Sequence, residues 1–239
     1  MQQTHVRGLR DDDDRFFAPS QIAKLLAARD ELRFLLDRGY PIKSAGTFVG
    51  NHHQLAVRQL LAVIRCTSSA QSLLNRTSKR LCPNELSGKT VFIDGFNLII
   101  NLEVALSDGM LLIGQDGCIR DLAELRGTYR LIPQTETAIG IIRDSLNELC
   151  AAKTVFFLDE PVSNSGRLKT KIHDADWPMP IEVRIIRSPD SELKKLSCVI
   201  SSDSIILDEC DSWFNFTAYI FKRCEKFCNL SRLIDLGKD

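Results

Sequence analysis

The stretch Thr90-Val91-Phe92-Ile93-Asp94-Gly95-Phe96-Asn97-Leu98-Ile99-Ile100 opens with a short apolar strand that ends on a carboxylate, Asp94. Thr154 to Leu158 repeats the design and ends at Asp159. Ile181 to Ile186 is a third such run, and Cys198 to Ser201 a fourth, closed by Asp203. A helix from about Thr135 lies between the first two strands, with Ile139, Ile142, Leu146 and Leu149 spaced for one face. Ser188-Pro189 opens another helix before the fourth strand. Alternation of this kind predicts right-handed crossovers and a Rossmann-like, mostly parallel α/β sheet over residues 88–239. Met110 to Leu122 departs from the pattern: Gln115-Asp116-Gly117 reads as a hairpin turn between two short strands, expected to be a flap or edge insertion.

Upstream, the polar segment Pro83 to Gly88 marks a boundary, and residues 18–87 read as a small helical module. Its first helix runs from Ser20 with Ile22, Leu25, Leu26, Leu32, Leu35 and Leu36 in helical rhythm until Arg38-Gly39-Tyr40-Pro41 stops it. Ser44 to Val49 and Gln54 to about Arg65 follow, so that three helices with tight turns suggest a helix-turn-helix-like unit. His52, His53, Arg58, Arg65, Arg76, Lys79 and Arg80 are the side chains of this region able to reach phosphates. Residues 1–17 carry Asp11 to Asp14 in a row and little to bury, which predicts a mobile tail.

The net charge of zero conceals an asymmetry. Residues 1–89 hold 14 Lys/Arg against 8 Asp/Glu, and residues 90–239 hold 17 against 23. A basic module joined to an acidic one suits a protein that grips a polyanion with one part and holds cations with the other. Two ordinary solvated surfaces explain the charge as well. No apolar run approaches the roughly 20 residues of a membrane span, and the polar start lacks a signal-peptide core, which places the expectation in the cytoplasm. The 8 cysteines have no paired spacing and read as reduced thiols; Cys210, Cys224 and Cys228 lack the spacing of a structural metal site.

In an open parallel sheet the carboxyl ends of the strands share one crevice, so Asp94, Asp159 and Asp203 are expected to converge there. Unpaired carboxylates side by side raise one another's pKa and persist where a cation neutralises them; Mg²⁺ or Mn²⁺ suits such oxygen ligands. Any one of these aspartates would serve as an ordinary helix cap, whereas three together point to a site. Asp208, five residues after Asp203, and Asp190, at the start of its helix, are further candidate ligands. Hydroxyls at Ser201 and Ser202 stand ready to orient the acids.

These residues resemble a known family. Val91-Phe92-Ile93-Asp94-Gly95-Phe96-Asn97 looks like the opening strand of the PIN and NYN nuclease group, Ser201-Ser202-Asp203-Ser204-Ile205-Ile206-Leu207-Asp208 like its later acidic motif, and Ser188-Pro189-Asp190 like its middle acidic helix start. The whole chain further resembles an uncharacterised prokaryotic family coupling a helical module to such a domain. The resemblance implies metal-dependent hydrolysis of a phosphodiester in RNA or single-stranded DNA, with Asp94, Asp159 and Asp203 holding Mg²⁺ or Mn²⁺ and Asp190 and Asp208 supporting. Asn97 would fix Asp94 or a substrate phosphate. Ser163, Asn164 and Ser165, with Arg167 and Ser202, would contact substrate. For the acidic residue expected between the first two strands, Glu103, Asp121 and Glu124 all qualify.

A non-catalytic nucleic-acid or protein-binding module on the same fold is the alternative. An aspartate-nucleophile phosphatase is disfavoured by Phe96, which stands where its second acid belongs, and dinucleotide binding by the absence of GxGxxG. The aromatic segment Trp213 to Phe227 fits either a homodimer face or a buried terminal helix.

Overall fold

The computed structural model describes residues 7–123, 127–224 and 232–238. In chain order the elements are α1 (Asp13–Phe16), α2 (Pro19–Leu36), α3 (Ile42–His52), α4 (Val57–Cys66), α5 (Ala70–Ser78), β1 (Thr90–Asp94), α6 (Gly95–Leu106), β2 (Leu111–Ile113), β3 (Ile119–Asp121), α7 (Pro133–Glu148), β4 (Lys153–Asp159), α8 (Ser165–His173), β5 (Ile181–Ile186), α9 (Pro189–Leu193), β6 (Val199–Ile200), α10 (Ser204–Glu209), α11 (Phe216–Arg223) and β7 (Leu233–Asp235).

The main sheet runs β5-β4-β1-β6 with every pairing parallel. Successive side chains on a strand point to opposite faces, and β1 sorts accordingly. Val91 and Ile93 pack with Ile99, Ile139, Ile142 and Leu168 on one face, and Phe92 with Val199, Leu193, Ile206 and Trp213 on the other. Helices therefore cover both faces, the arrangement a continuous apolar strand requires. Because β6 returns beside β1 on the side opposite β4, the strand order reverses there, and a crevice opens beyond the ends of β1 and β6. Gly95 lets α6 begin directly on the sheet: a Cβ there would lie 2.6 Å from Leu158 Cδ2 and 2.9 Å from the Phe157 carbonyl.

The expected hairpin forms as β2 and β3, antiparallel about Gly117 at φ +74°. It is not a free flap. β7 adds to it in parallel, and Met110, Leu112, Leu122 and Leu236 pack with Leu25, Leu32, Val49 and Val63 of the helical region. The hairpin thereby ties the N-terminal helices to the rest of the chain.

The expectation of a mobile tail to residue 17 is corrected from Arg7 onward; residues 1–6 lie outside the described residues. Asp13 is fully buried in an ion pair with Arg58, whose guanidinium also donates to the Leu122 carbonyl at 2.7 Å. Phe17 packs into the helical core. The repelling run of aspartates is thus anchored by a partner 45 residues away. In the terminal aromatic segment Trp213, Phe214, Phe216 and Ile220 are buried within the chain, as the buried-helix alternative expects, while Tyr219 and Phe221 are partly exposed; Phe227 lies outside the described residues. Among the described residues no helix is long and apolar enough to cross a membrane.

Candidate metal centre and adjoining cleft

Each of three parallel strands delivers a carboxylate to the same edge. Asp94 ends β1, Asp159 ends β4, and Asp203 follows β6 and caps α10 by accepting the Ile205 N–H at 2.7 Å. Asp190 joins them from the first turn of α9, the helix after β5. The four feel one another. Burial pushes the Asp94 carboxyl up to about 7 from 3.8, with the charges of Asp203, Asp190 and Asp159 adding to the rise and the Ser201 hydroxyl, donating at 2.8 Å, opposing it. Asp159 is raised by burial and by Asp190, and Asp190 by burial and by Asp203. Among the described residues no arginine or lysine forms an ion pair with any of the four, and Lys194, one turn along α9, is the cation that Asp190 senses.

An all-oxygen set of this kind fits a hard divalent cation. The fit is open rather than closed: among the described residues no three of these acids bring their oxygens within 4.8 Å of one another, a spacing met by Glu31 of α2 with His52 and His53 at the end of α3. Ions that keep several of their waters tolerate such separation.

Asp208 does not belong to the group. It lies one turn further along α10, on the side facing α5, where Arg76 grips it through Nε at 2.7 Å and Nη2 at 2.9 Å. The Asn97 carbonyl oxygen accepts the Ser202 N–H and O–H at 2.9 Å each rather than meeting Asp94, and so fixes the turn that carries Asp203. Ser202 is itself buried. Ser163 and Asn164 are spent on the backbone of Tyr129, and the Ser165 hydroxyl donates to the Asp159 carbonyl at 2.6 Å; these three fasten a loop and a helix start instead of lining a substrate surface. Arg167 is exposed on α8, away from the cleft. Glu103 is buried beneath Tyr129, Thr135 and Arg7, and so is structural. Asp121 ends β3 and lines the cleft beside Arg65, and Glu124 lies outside the described residues.

The basic residues of the helical region are largely consumed inside the protein. Besides Arg58, Arg76 bridges Asp208 and Asp116, and Arg120 clasps Asp116 from the other side. Sandwiched between two guanidiniums, the Asp116 carboxyl is held far below the usual range although burial opposes it. Lys79 donates to the Asp208 carbonyl at 2.9 Å, and His53 pairs with Glu31. Nothing in the notion of a phosphate-facing helix had pointed to this network, because its acids come from the hairpin and from α10. Above it lies a cleft of about 790 Å³ between α3, α4 and α5 on one side and α6 and α10 on the other, reaching Asn97, Ser202 and Asp203.

Comparison with known proteins adds lineage. Residues 83–219 match the model of a family described as a domain of unknown function, DUF5616. The chain belongs to this family. Residues 24–79 match a second family, described as a protein of unknown function, DUF434. An uncharacterized protein of Methanocaldococcus jannaschii is 33% identical over 184 residues, spanning 75% of this chain and 87% of the relative. No solved structure matches.

Proposed function

We propose that the protein is a divalent-metal-dependent nuclease of PIN-like type, hydrolysing phosphodiester bonds of RNA or single-stranded DNA. The observation that carries this reading is the convergence of Asp94, Asp159, Asp190 and Asp203 at the sheet's switch point without a described basic partner. Strand-end acids that merely cap helices do not need to raise one another's pKa. Asp94, Asp159 and Asp203 would hold Mg²⁺ or Mn²⁺, with Asp190 supporting. Bound there, such an ion would supply an activated water and neutralise the negative charge that develops at the phosphate. Ser201 orients the Asp94 carboxylate, and its hydroxyl also accepts the Asp203 N–H at 3.0 Å, so that one side chain sets the relative position of two acids. Asn97 holds the same turn from the α6 side.

Calorimetric titration of Mn²⁺ into wild type and the Asp94→Asn/Asp203→Asn protein, with cleavage of labelled single-stranded RNA followed alongside, tests the reading. Metal-dependent cleavage lost in the double variant is the expected result. Absence of Mn²⁺ binding in wild type would sink it. The wide spacing of the carboxylates favours a second reading, a non-catalytic nucleic-acid-binding module, and that outcome would leave it standing.

A further inference from the structure

We infer that Glu31, His52 and His53 form a site of their own for one borderline-soft divalent cation of the Zn²⁺ class, which clamps α2 to the end of α3. This holds whether or not the acids at the sheet edge act on phosphodiesters. One ligand atom from each of the three residues lies within 4.8 Å of the other two. Two packed helices bring them there. Ala28 and Leu32 of α2 share the helical core with Ala45 and Val49 of α3. Residues three and four positions apart on a helix share a face, so Glu31, three after Ala28, and His52 and His53, three and four after Val49, fall at the rim of that contact. His53 is the C-cap, where the chain leaves the helix, and its ring stands edge-on to that of His52 with centroids 4.9 Å apart. Its Nε2 meets Glu31 Oε2 at 2.9 Å.

The donor set decides the ion. Carboxylate oxygens alone, as at the sheet edge, suit a hard cation, whereas two imidazoles and a carboxylate suit Zn²⁺, Ni²⁺ or Cu²⁺. A tetrahedral Zn²⁺ with bonds of about 2.1 Å sets its ligand atoms roughly 3.4 Å apart. Side-chain rotation closes the remaining distance, since Glu31 and His52 are exposed and His53 is half-buried. A proton shared by His53 and Glu31 satisfies that pair and gives His52 no part in it, while a metal ion uses all three. Entry of the ion sends that proton to solvent, so one hydrogen bond is exchanged for three coordinate bonds. Water completes the fourth position. None of the three residues lines the large cleft, and the ion's work is mechanical: it joins Glu31 to the end of α3 and so closes the loop that contains the α2–α3 turn.

The test is calorimetric titration of Zn²⁺ alone into the full chain, as wild type and as the Asp94→Asn/Asp203→Asn protein, which removes two acids at the sheet edge and leaves the helical lobe as it is. Each titration is repeated with His52→Ala, His53→Ala or Glu31→Gln added. Cys82 and Cys150 are exposed and free, so the site is read as the Zn²⁺ equivalent that depends on the histidines and not as total uptake. One such equivalent is expected in both backgrounds, weakened at least about tenfold by each substitution. Zn²⁺ at about 100-fold above its Kd should raise the melting temperature by about 5–10 °C, and should leave that of His52→Ala where it was. That variant keeps the His53–Glu31 bond, so its loss of Zn²⁺ cannot be laid to a broken contact, and its metal-free melt verifies the fold. Zn²⁺ uptake and melting that are the same with and without the histidines overturn the inference, as does absence of uptake by wild type. Histidine-dependent Zn²⁺ binding in a wild type that neither binds Mn²⁺ nor cleaves RNA upholds it while removing the catalytic reading.

Discussion

Two groups of carboxylates stand close together in this protein and live by opposite rules. Asp116 and Asp208 are each held by arginine, Asp116 by two. Asp94, Asp159, Asp190 and Asp203 form no ion pair with an arginine or lysine among the described residues; Asp94 has the Ser201 hydroxyl, Asp203 the Ile205 N–H, and Asp190 only the more distant charge of Lys194. Burial penalises the charged form in both places, yet the Asp116 carboxyl ends far below its ordinary value and that of Asp94 ends well above it. The arginine-bound pair joins α5, the hairpin and α10, and its purpose is satisfied by the fold. In the reading proposed above, the second group is completed by a cation from outside.

The comparison breaks most sharply on activity. Replacing Asp94 and Asp203 together by asparagine should lower metal-dependent turnover by about 10⁴-fold, because charge stabilisation by a bound ion is worth ~5 kcal/mol. Single-turnover cleavage at saturating Mn²⁺ measures it. The same substitutions should leave the melting temperature unchanged or raised, since they remove mutual repulsion.

Asp116→Ala should do the reverse. It leaves two buried guanidiniums facing each other, and breaking a buried pair from one side costs about 3–5 kcal/mol. Urea denaturation should report that loss, and metal affinity of the folded fraction should be retained. A destabilisation below about 1 kcal/mol would mean that water reaches the network and that the lobes are joined chiefly by the hairpin's apolar contacts.

Much of this division was legible in the chain and part was not. Apolar runs that stop at an aspartate marked β1, β4 and β6 within a residue or two, and parallel pairing, though not the strand order, followed from the intervening helices. The convergence of Asp94, Asp159 and Asp203 came with that topology. Asp208 was misplaced because five residues beyond Asp203 is more than one helical turn, which carries its side chain to the α5 side; Arg76, 132 residues away, is invisible to local spacing. The arginines of the helical region read as phosphate contacts for the same reason: a sequence shows their charge and not their burial. β7 has three residues, too short for an alternating signal, and α5 carries few apolar positions, so neither announced itself.

Stability against pH sharpens the contrast further. With its pKa raised from 3.8 to about 7, Asp94 keeps a proton in the native state across a range where the unfolded chain has released it. The native state then binds more protons than the unfolded one, and metal-free stability falls as pH rises through that window, by on the order of 4 kcal/mol. Chemical denaturation at stepped pH in chelator should show the decline. Asp94→Asn should flatten it, and Mn²⁺ at neutral pH should oppose it by displacing the proton. A flat profile in wild type would place Asp94 in contact with more solvent than its 7% exposure allows.

The smallest effect separates two roles for one residue. If Asn97 met a substrate phosphate, Asn97→Ala would raise KM and leave stability alone. In the structure its carbonyl oxygen takes both donors of Ser202, and a buried N–H left without a partner costs about 1 kcal/mol. The expected result is therefore a modest stability loss together with a fall in kcat of a few fold, since the turn it holds carries Asp203. Asn97→Asp retains an acceptor for Ser202 and should recover most of the stability, while the added charge beside Asp94 should tighten Mn²⁺ binding. A KM effect without a stability effect would detach Asn97 from the turn and place it with the substrate.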